Sequence, residues 1–332
     1  MNKFFYLDSL NQKQKEAVET LTGPVLILAG AGTGKTRVLT TRLSHILNKK
    51  LAKPWKILAV TFTNKAANEM KERVQKLLKI DVERLWIGTF HSSGLKILRK
   101  YSELCNLKSD FTVIDTDDQL RLIKQILEVE KIDLKKWPAS NILWMIQWFK
   151  DKGAMPEQAK KMKFHFDKGI NICKLYNEYQ KRLQILNAAD FGDLLLLPVK
   201  IFRENKDILK SYQNQFKFIL VDEYQDTNLC QDIWLKFLSK QHQNICCVGD
   251  DDQSIYSWRG ADVKNILTFE DSFKNVKIIR LEQNYRSTHH ILAAASGLIQ
   301  NNQDRLGKTL WTKSQKGEKV KLSFYEDGKD EA

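Results

Sequence analysis

The segment VLILA, residues 25–29, runs directly into GAGTGKT, residues 30–36. Five successive apolar residues bounded by glycine predict a short buried strand. Apolar residues at helical spacing follow the turn, namely Val38, Leu39, Leu43, Ile46 and Leu47. Strand, glycine-rich turn and helix in this order are typical of a P-loop, whose backbone N–H groups and helix N-terminus face phosphate groups. The segment therefore predicts a nucleotide-binding α/β protein.

The chemistry of a P-loop explains the residue types in this turn. The loop comprises Ala29, Gly30, Ala31, Gly32, Thr33, Gly34, Lys35 and Thr36, with alanine in place of the usual first glycine. Small residues allow the backbone to wrap around phosphates. Lys35 is expected to reach the β- and γ-phosphates, and the Thr36 hydroxyl to ligate Mg²⁺. The alternative interpretation is a structural glycine turn without a ligand.

The alternation of strand and helix continues along the chain. Apolar runs predict further strands at 57–62, 86–88, 218–221 and 245–248. Helical spacing predicts a helix at 65–78 and another that carries Leu95, Ile97 and Leu98. Alternating βα units indicate a parallel sheet, so we expect the polar loops that follow its strands to lie at one edge.

A pair of carboxylates follows one of these strands. Asp222 and Glu223 come directly after the apolar run 218–221. Such a pair can place one carboxylate on a Mg²⁺ ion and the other near an attacking water. We therefore assign Asp222 to the metal and Glu223 to the general base. Taken alone, an Asp-Glu pair after an apolar run is more often the start of a solvated loop, and the P-loop is what favours the catalytic interpretation.

Length, charge and cysteine content narrow the class of protein. The chain has 332 residues, which suggests about two domains. Its formal net charge of +14 favours a polyanionic partner, with nucleic acid as the first candidate. The five cysteines form no C-x-x-C pair, so a reducing cytoplasm is expected rather than a disulfide framework or zinc site. No apolar run approaches the roughly 18 residues that span a bilayer, so we expect no membrane contact.

The middle of the chain differs from the rest. Residues 131–184 contain no strand-like run and hold twelve Lys or Arg against five Asp or Glu, half of the net charge. Helical spacing is kept by Ile142, Leu143, Ile146 and Phe149. We predict an inserted helical, DNA-binding subdomain at 115–184, between two parts of an α/β core at 1–111 and 188–283. An ordinary solvated helical face is the alternative.

The run of three aspartates from Asp250 to Asp252 is similar in composition to a calcium-binding loop. An EF-hand needs a bidentate glutamate at its twelfth position, and that position here is Ala261. We therefore expect no calcium site.

Seven short motifs follow one another from residue 10 to residue 287. They are LNQKQ at 10–14, the P-loop through Arg37, AVTFTNKAA at 59–67, GTFHS at 88–92, DEYQDT at 222–227, VGDDDQSIYSWRGA at 248–261 and LEQNYRS at 281–287. Together they resemble the UvrD/PcrA/Rep group of superfamily 1 DNA helicases. The resemblance implies a RecA-like parallel-sheet core with an inserted helical subdomain, followed at 284–332 by the start of a second RecA-like domain.

The resemblance also implies a role for each residue of an ATP site. Gln14, with help from Arg37, would recognise the adenine edge, and Tyr285 would stack on the base. Arg286 would contact the γ-phosphate. Gln253 would sense the same phosphate and relay its presence to the loops that bind DNA.

A track for single-stranded DNA is implied as well. The matching positions are Phe62, Thr63, Asn64, Thr89, His91, Tyr256, Trp258 and Arg259. Aromatic faces accept stacked bases of any sequence, and basic groups follow the phosphate backbone. Taken alone, Phe62 or Trp258 would more often be a core aromatic.

By this resemblance, the protein is an ATP-dependent helicase that translocates 3′ to 5′ on single-stranded DNA and unwinds duplex DNA, in DNA repair or replication. Family members continue far beyond this length and carry a catalytic arginine finger. We therefore expect an N-terminal fragment without full activity, with 319–325 among the first strands of the second domain. A non-catalytic ATP- and DNA-binding module, or the helicase portion of a helicase-nuclease of the RecB or AddA type, are the alternatives.

Overall fold

A parallel sheet of six strands forms the centre of the protein. The computed structural model describes residues 4–79, 82–162, 169–303 and 305–331. Its strands are β1 (Val25–Ala29), β2 (Ile57–Thr61), β3 (Trp86–Thr89), β4 (Thr112–Val113), β5 (Ala188–Ala189), β6 (Phe218–Val221), β7 (Ile245–Gly249) and β8 (Lys277–Leu281). The sheet has the order β3-β2-β6-β7-β1-β8, and β4 pairs separately with β5. Every strand pair is parallel, so the predicted α/β fold is confirmed.

Helices cover both faces of this sheet. They are α1 (Gln12–Glu19), α2 (Lys35–Asn48), α3 (Asn64–Leu78), α4 (Phe90–Lys100), α5 (Thr116–Val129), α6 (Ala139–Asp151), α7 (Pro156–Ala159), α8 (Ile172–Ile185), α9 (Asp193–Glu204), α10 (Lys206–Gln215), α11 (Leu229–Ser239), α12 (Lys264–Leu267), α13 (Phe269–Ser272), α14 (His289–Ile299) and α15 (Gly328–Glu331). The predicted βα units are present, because α2, α3 and α4 each follow a strand. Over the described ranges, no helix has the length and apolar character needed to cross a bilayer.

Strand β1 is buried on both faces, which explains its continuous apolar sequence. Val25, Ile27 and Ala29 belong to a core shared with α1, α2 and α3. Leu26 and Leu28 belong to the core on the opposite face, which includes α4, α9 and α11. Full burial of one such aliphatic side chain contributes about 1.5–3 kcal/mol, so this one strand stabilises both layers.

Three strands were missing from the sequence prediction. The edge strand β8 reads KIIRL and exposes Lys277 and Arg280, so its apolar signal is interrupted by charge. The pair β4 and β5 has only two residues in each strand, too few to give a recognisable pattern. These strands are specified by pairing with distant partners, which periodicity cannot reveal.

The strand order brings three loops together at the carboxyl edge of the sheet. Strands β6, β7 and β1 are consecutive neighbours although they lie far apart in sequence. Their carboxyl ends lead into Asp222, Asp250 and the P-loop respectively. Loops at the carboxyl edge of an open parallel sheet are where ligands bind in such folds.

The region predicted as a helical insertion contains α5, α6, α7 and α8, with no strand among its described residues. Asp115 caps the first of these helices, since its side chain accepts a hydrogen bond from the backbone of Asp118. Buried residues of α5, α6 and α8 belong to the same apolar core as β1 and α9. Residues 163–168 of the predicted insertion lie outside the described ranges. The division into domains remains a prediction, and any helical subdomain shares its core with the sheet.

The expected strand at 319–325 is wrong. These residues form no strand in the structure, and their side chains are exposed. Beyond β8, the described chain makes a single parallel bridge, between Gln283 and Trp311, and the helices α14 and α15. An extended segment needs a neighbouring strand to satisfy its backbone hydrogen bonds, and none lies beside 319–325 in the part of the chain that is described.

Gly94 is required where α4 crosses α9, because a Cβ atom there would lie 1.9 Å from the backbone oxygen of Leu194. Gly94→Ala is expected to lower the free energy of unfolding by about 3 kcal/mol, since relief requires a backbone shift inside the core. Gly297 in α14 is a matched control, because nothing lies within 4 Å of its Cβ position. Gly297→Ala is expected to raise stability by about 0.5–1 kcal/mol. Urea unfolding measures both, and equal stability of the two variants would contradict this packing.

Candidate nucleotide and nucleic-acid sites

The P-loop lies between β1 and α2, as predicted. Gly32 and Gly34 have φ values of 70° and 90°, a left-handed conformation that glycine adopts without steric cost. The Thr33 hydroxyl donates to the backbone oxygen of Gly30 at 2.8 Å and fixes the turn. Lys35 is the first residue of α2, so the N-terminus of this fourteen-residue helix faces the loop.

Lys35 and Glu223 form an ion pair at the edge of the sheet, with Nζ and Oε2 2.9 Å apart. Glu223 adopts φ 50°, a conformation uncommon for a residue with a side chain. The backbone therefore turns sharply after β6, and the carboxylate that we predicted as the general base meets the P-loop lysine. Such a strained residue at a ligand-facing edge is typical of functional sites.

Asp222, beside it, is 4% exposed. Burial, followed by the neighbouring charge of Glu223, raises the pKa of its carboxyl to about 7 against the lowering effect of Lys35. A buried carboxylate without a full counter-charge suits a bound cation. Oxygen donors are the ligands that Mg²⁺ prefers, so the Asp222 carboxylate and the Thr36 hydroxyl fit that ion chemically.

Gln225 is a site residue that the sequence prediction missed. Its Nε2 donates to Oε2 of Glu223 at 2.9 Å, and its Oε1 accepts from the backbone N–H of Asp250 at 2.9 Å. The side chain is buried, and a Cβ on residue 249 would lie 2.8 Å from its Oε1, so glycine at this position leaves room for the amide. Gln225 therefore connects the candidate base to the loop that contains Gln253. Its position in the 222–227 motif was the only signal.

The segment after β8 lies directly on the P-loop. The backbone N–H of Tyr285 donates to the Gly32 oxygen at 2.9 Å, and the Asn284 amide donates to the Ala31 oxygen at 2.6 Å. A Cβ on Gly32 would lie 2.6 Å from Cβ of Arg286, so only glycine permits this approach. Tyr285 and Arg286, which are far from the P-loop in sequence, are thus brought beside it, both with exposed side chains.

The side chain of Gln14, which we predicted to contact adenine, forms hydrogen bonds within the protein. Its side chain is 1% exposed, with Nε2 donating to the Thr33 oxygen at 2.9 Å. Its Oε1 accepts from the backbone N–H of Asn11, which completes a capping box at the start of α1. Arg37, its predicted helper, donates instead to Ser9. Gln14 therefore supports the P-loop, and adenine recognition by these two residues remains a prediction.

The three aspartates after β7 form ion pairs with two basic side chains. Lys308 is nearly buried and contacts Asp250, Asp251 and Asp252 at 2.6–2.7 Å, while Arg305 contacts Asp252 at 2.6 Å. Their carboxylate oxygens lie close enough together to surround a cation. The ammonium group of Lys308 already occupies that position, which accounts for the charge without a calcium ion.

A second recess lies beside the nucleotide site. This cavity of about 390 Å³ is lined by six of the residues predicted for the DNA track, Phe62, Thr63, Thr89, His91, Tyr256 and Arg259. Asn64 and Trp258 do not line it. Within the recess, the rings of Phe62 and Tyr256 are stacked with centroids 5.4 Å apart. We call this recess the aromatic cavity.

Trp258 lies outside the core. Its side chain is 67% exposed, so the core interpretation of this residue is wrong. The indole ring is 6.4 Å from the Tyr256 ring, and the Arg259 guanidinium lies 4.5 Å from its centroid. An exposed indole beside a guanidinium and a second aromatic ring can accept a stacked base.

The aromatic cavity also contains residues that no motif indicated. Phe191 is 54% exposed, and the centroid of its ring lies 5.8 Å from that of the His91 ring. Asp151, at the end of α6, and Asn228, before α11, line the same wall. The sequence carried no signal for these residues, because they come from elements that become neighbours only on folding.

Comparisons with known proteins agree with this geometry. The profile described as UvrD/REP helicase N-terminal domain matches residues 10–274, and that of the UvrD-like helicase C-terminal domain matches residues 279–332. The chain is similar to a probable DNA helicase II homolog of Rickettsia felis, with 50% identity over 334 residues that cover 100% of this chain and 51% of the relative.

Two other relatives give the same picture. DNA helicase II of Rickettsia typhi is 51% identical over 330 residues, which are 98% of this chain and 50% of that protein. The ATP-dependent DNA helicase PcrA of Bacillus subtilis is 46% identical over 319 residues, 96% of this chain and 43% of that protein. The chain thus spans about half the length of the curated relatives that it matches.

Gln14→Ala is expected to lower the free energy of unfolding by about 1–2 kcal/mol without any nucleotide, because it removes the side-chain half of the capping box, the bond to the Asn11 backbone N–H, and a buried hydrogen bond to the P-loop. Gln12→Ala, two residues earlier on the exposed side of α1, is the matched control and should change little. Urea unfolding measures both. A Gln14→Ala variant with unaltered stability and weakened nucleotide binding would instead assign the side chain to the ligand alone.

Proposed function

Because the chain belongs to the UvrD/Rep helicase family, we propose that it acts as an ATP-dependent DNA helicase. In this proposal it translocates 3′ to 5′ on single-stranded DNA and separates duplex DNA, in DNA repair or replication. The observation that carries the proposal is a continuous path of contacts from the P-loop to the aromatic cavity.

The path begins at Lys35, whose ammonium pairs with Glu223. The Gln225 amide connects Glu223 to Asp250, and the Oδ2 atom of Asp250 accepts a hydrogen bond from the Gln253 amide. Three residues after Gln253, the chain reaches Tyr256 in the aromatic cavity. A phosphate site and a base-stacking site are thus joined by one short loop and one buried amide, which supports mutual control of the two ligands.

In the proposed mechanism, the phosphates of ATP accept hydrogen bonds from the P-loop backbone and attract Lys35. This attraction competes with the ion pair, so Glu223 becomes free to accept a proton from the attacking water. Asp222 and Thr36 would hold Mg²⁺, which neutralises phosphate charge when bound. Arg286, beside the P-loop, adds a second cation for the charge on the phosphates.

The aromatic cavity and the neighbouring exposed Trp258 would bind single-stranded DNA with little sequence preference. Every base has a π-face, so the rings of Phe62, Tyr256 and Trp258 can stack on any of them. Arg259 and the net charge of +14 provide attraction to the phosphate backbone. Movement would follow if the loop that carries these rings changes position each time Gln253 gains or loses its contact with the γ-phosphate.

Two assays on the protein test the proposal. ATP hydrolysis is measured with and without a thymidine oligonucleotide, and unwinding is measured on duplexes with a 3′ or a 5′ single-stranded tail. Weak ATP hydrolysis that DNA stimulates is expected, in keeping with the incomplete activity that the resemblance implies, and any strand separation should begin from the 3′ tail. Nucleotide and DNA binding without hydrolysis would favour the non-catalytic module, and unwinding from the 5′ tail would overturn the polarity.

Lys35→Ala is expected to lower the rate of ATP hydrolysis about 100-fold or more, because a preorganised positive charge facing the transferred phosphoryl group is lost. Affinity for single-stranded DNA should be preserved. Lys76→Ala, which removes an exposed lysine from α3, is the control and should hydrolyse ATP normally. Unchanged turnover in a folded Lys35→Ala variant would show that the P-loop assignment is wrong.

Gln253→Ala and Trp258→Ala should have different effects. Gln253→Ala is expected to keep both affinities and lose the stimulation of ATP hydrolysis by DNA, because coupling can vanish while both sites persist. Trp258→Ala is expected to weaken DNA binding by about 1–3 kcal/mol, the contribution of one stacked base. Hydrolysis rates, DNA affinity and melting temperature distinguish the two. Normal stimulation in Gln253→Ala would remove its coupling role.

A further inference from the structure

Three consecutive residues at the end of α6 contact three different loops. Lys150, Asp151 and Lys152 form hydrogen bonds or ion pairs with residues near α9, α11 and α12 respectively. None of the three belongs to the motifs that identify the family. All three point towards segments that border the aromatic cavity.

Lys150 holds the segment before α9. Its ammonium is fully buried and lies 2.7 Å from Oδ2 of Asp190 and 2.8 Å from Oδ1 of Asp193. Tyr179 also donates to Asp190, at 2.9 Å. Phe191, which lines the aromatic cavity, lies between the two aspartates in sequence. The buried ion pairs therefore fix the backbone that presents this ring.

Lys152 holds the far end of the loop 256–262. Its Nζ lies 2.9 Å from Oδ2 of Asp262. The backbone N–H of Asp262 in turn donates to the Thr227 oxygen at 2.9 Å. The loop that carries Tyr256, Trp258 and Arg259 is thus tied at its end both to α6 and to the segment that follows Glu223.

Asp151 lies between these two anchors and reaches the cavity itself. Its Oδ1 accepts a hydrogen bond from the Asn228 amide at 2.7 Å. Its Oδ2 lies against Gly260, where a Cβ atom would be only 2.3 Å away. Gly260 has a φ of 84° and directly follows Arg259. The carboxyl group therefore fits into the turn of the loop that carries the aromatic track.

We propose that Asp151 is a positioning residue for single-stranded nucleic acid: it holds the 256–260 loop against α11, so that Tyr256, Trp258 and Arg259 face one strand. The inference rests on the proposed function and adds a residue of the helical region to it. Through Asp151, α6 contributes to the track without supplying a stacking ring.

The surroundings of Asp151 give this role a dependence on pH. Burial raises the pKa of its carboxyl to about 7, chiefly through desolvation. The ionisable groups that share its surroundings are Lys150 on α6 and Lys152 directly after it, Asp190 before α9, His91 on α4, Asp226 after β6, Cys230 on α11 and Arg259 on the loop. A neutral carboxyl accommodates a nearby phosphate more readily than a carboxylate does. Affinity for DNA should therefore be greater below pH 7 and fall as the pH rises through 7.

His91 and Asp226 also line the cavity, and burial shifts the pKa of each of them. Burial lowers the pKa of His91 below its usual 6.5, so its charge is lost before Asp151 ionises. Burial and Glu223 raise the pKa of Asp226 to about 6. A change in affinity centred near pH 7 that depends on residue 151 therefore belongs to Asp151.

The test compares Asp151→Ala and Asp151→Asn in the full chain. The probe is a fluorescein-labelled 16-residue thymidine oligonucleotide, and its anisotropy gives the affinity at several pH values from 6 to 8.5. Asparagine keeps the size of the side chain and an oxygen for the Asn228 amide, while alanine keeps neither. Asp117→Ala, an exposed aspartate in the first turn of α5, is the matched control. Melting temperature and the affinity for a fluorescent ATP analogue are measured in parallel.

Asp151→Ala is expected to bind the oligonucleotide about tenfold more weakly, a loss comparable with that of one stacked base. Affinity for the ATP analogue should be unchanged. Asp151→Asn should restore the affinity and abolish its change around pH 7, whereas Asp117→Ala should behave as the unaltered protein. Normal affinity in Asp151→Ala, or a pH dependence as large in Asp151→Asn as in the unaltered protein, would overturn the positioning role.

A further variant separates this inference from the proposed function. Tyr256→Ala removes a stacking ring and should weaken oligonucleotide binding whatever Asp151 does. If Tyr256→Ala weakens binding and Asp151→Ala does not, only the role of Asp151 is wrong. If neither variant changes the affinity, the assignment of the track is wrong and the positioning role fails with it.

Discussion

The parallel pairing of β6 with β7 and of β7 with β1 is the constraint on which the rest of the site depends. Parallel neighbours end at the same edge, so their three following loops must share one small volume. That volume receives the P-loop, the acidic pair after β6 and the aspartates after β7. A one-residue change in register would move Asp222 and Glu223 relative to Lys35 and break the ion pair.

The loops at this edge contain features that do not favour stability. Glu223 has a left-handed backbone, and the Asp222 carboxyl is buried with its pKa raised to about 7. Each costs free energy that the apolar cores on the two faces must offset. Such features are expected where a protein binds a charged ligand, because polar groups that are already fully paired within the protein are not available to that ligand. The raised pKa of Asp222 and that of Asp151 arise from the same physical cause, desolvation.

Polar contacts, rather than apolar packing alone, determine where the helices α6 and α8 sit relative to the cavity. Lys150 is fully buried, and removing either aspartate would leave its charge partly uncompensated. Because the buried ammonium of Lys150 needs both carboxylates as partners, orientations of α6 that would separate them are unfavourable. Because Asp151 is the next residue in the helix, its position beside Gly260 is fixed as well. An apolar core tolerates small rotations of a helix, whereas these directional contacts do not.

The sequence by itself determined the P-loop, the carboxylate pair and five of the six strands of the sheet, because each is encoded by neighbouring residues: an apolar run, a glycine spacing, a helical period. The resemblance added Tyr285, Arg286 and the cavity aromatics, which the structure brings beside the P-loop and around one recess. Only the tertiary structure decided that β8 joins the sheet, that Gln14 supports Thr33, that Gln225 connects Glu223 to Asp250, and that Asp151 meets Gly260. These features depend on pairs of residues distant in the chain. Local periodicity carries no record of such pairs, since it is the packing of whole strands and helices that makes them neighbours.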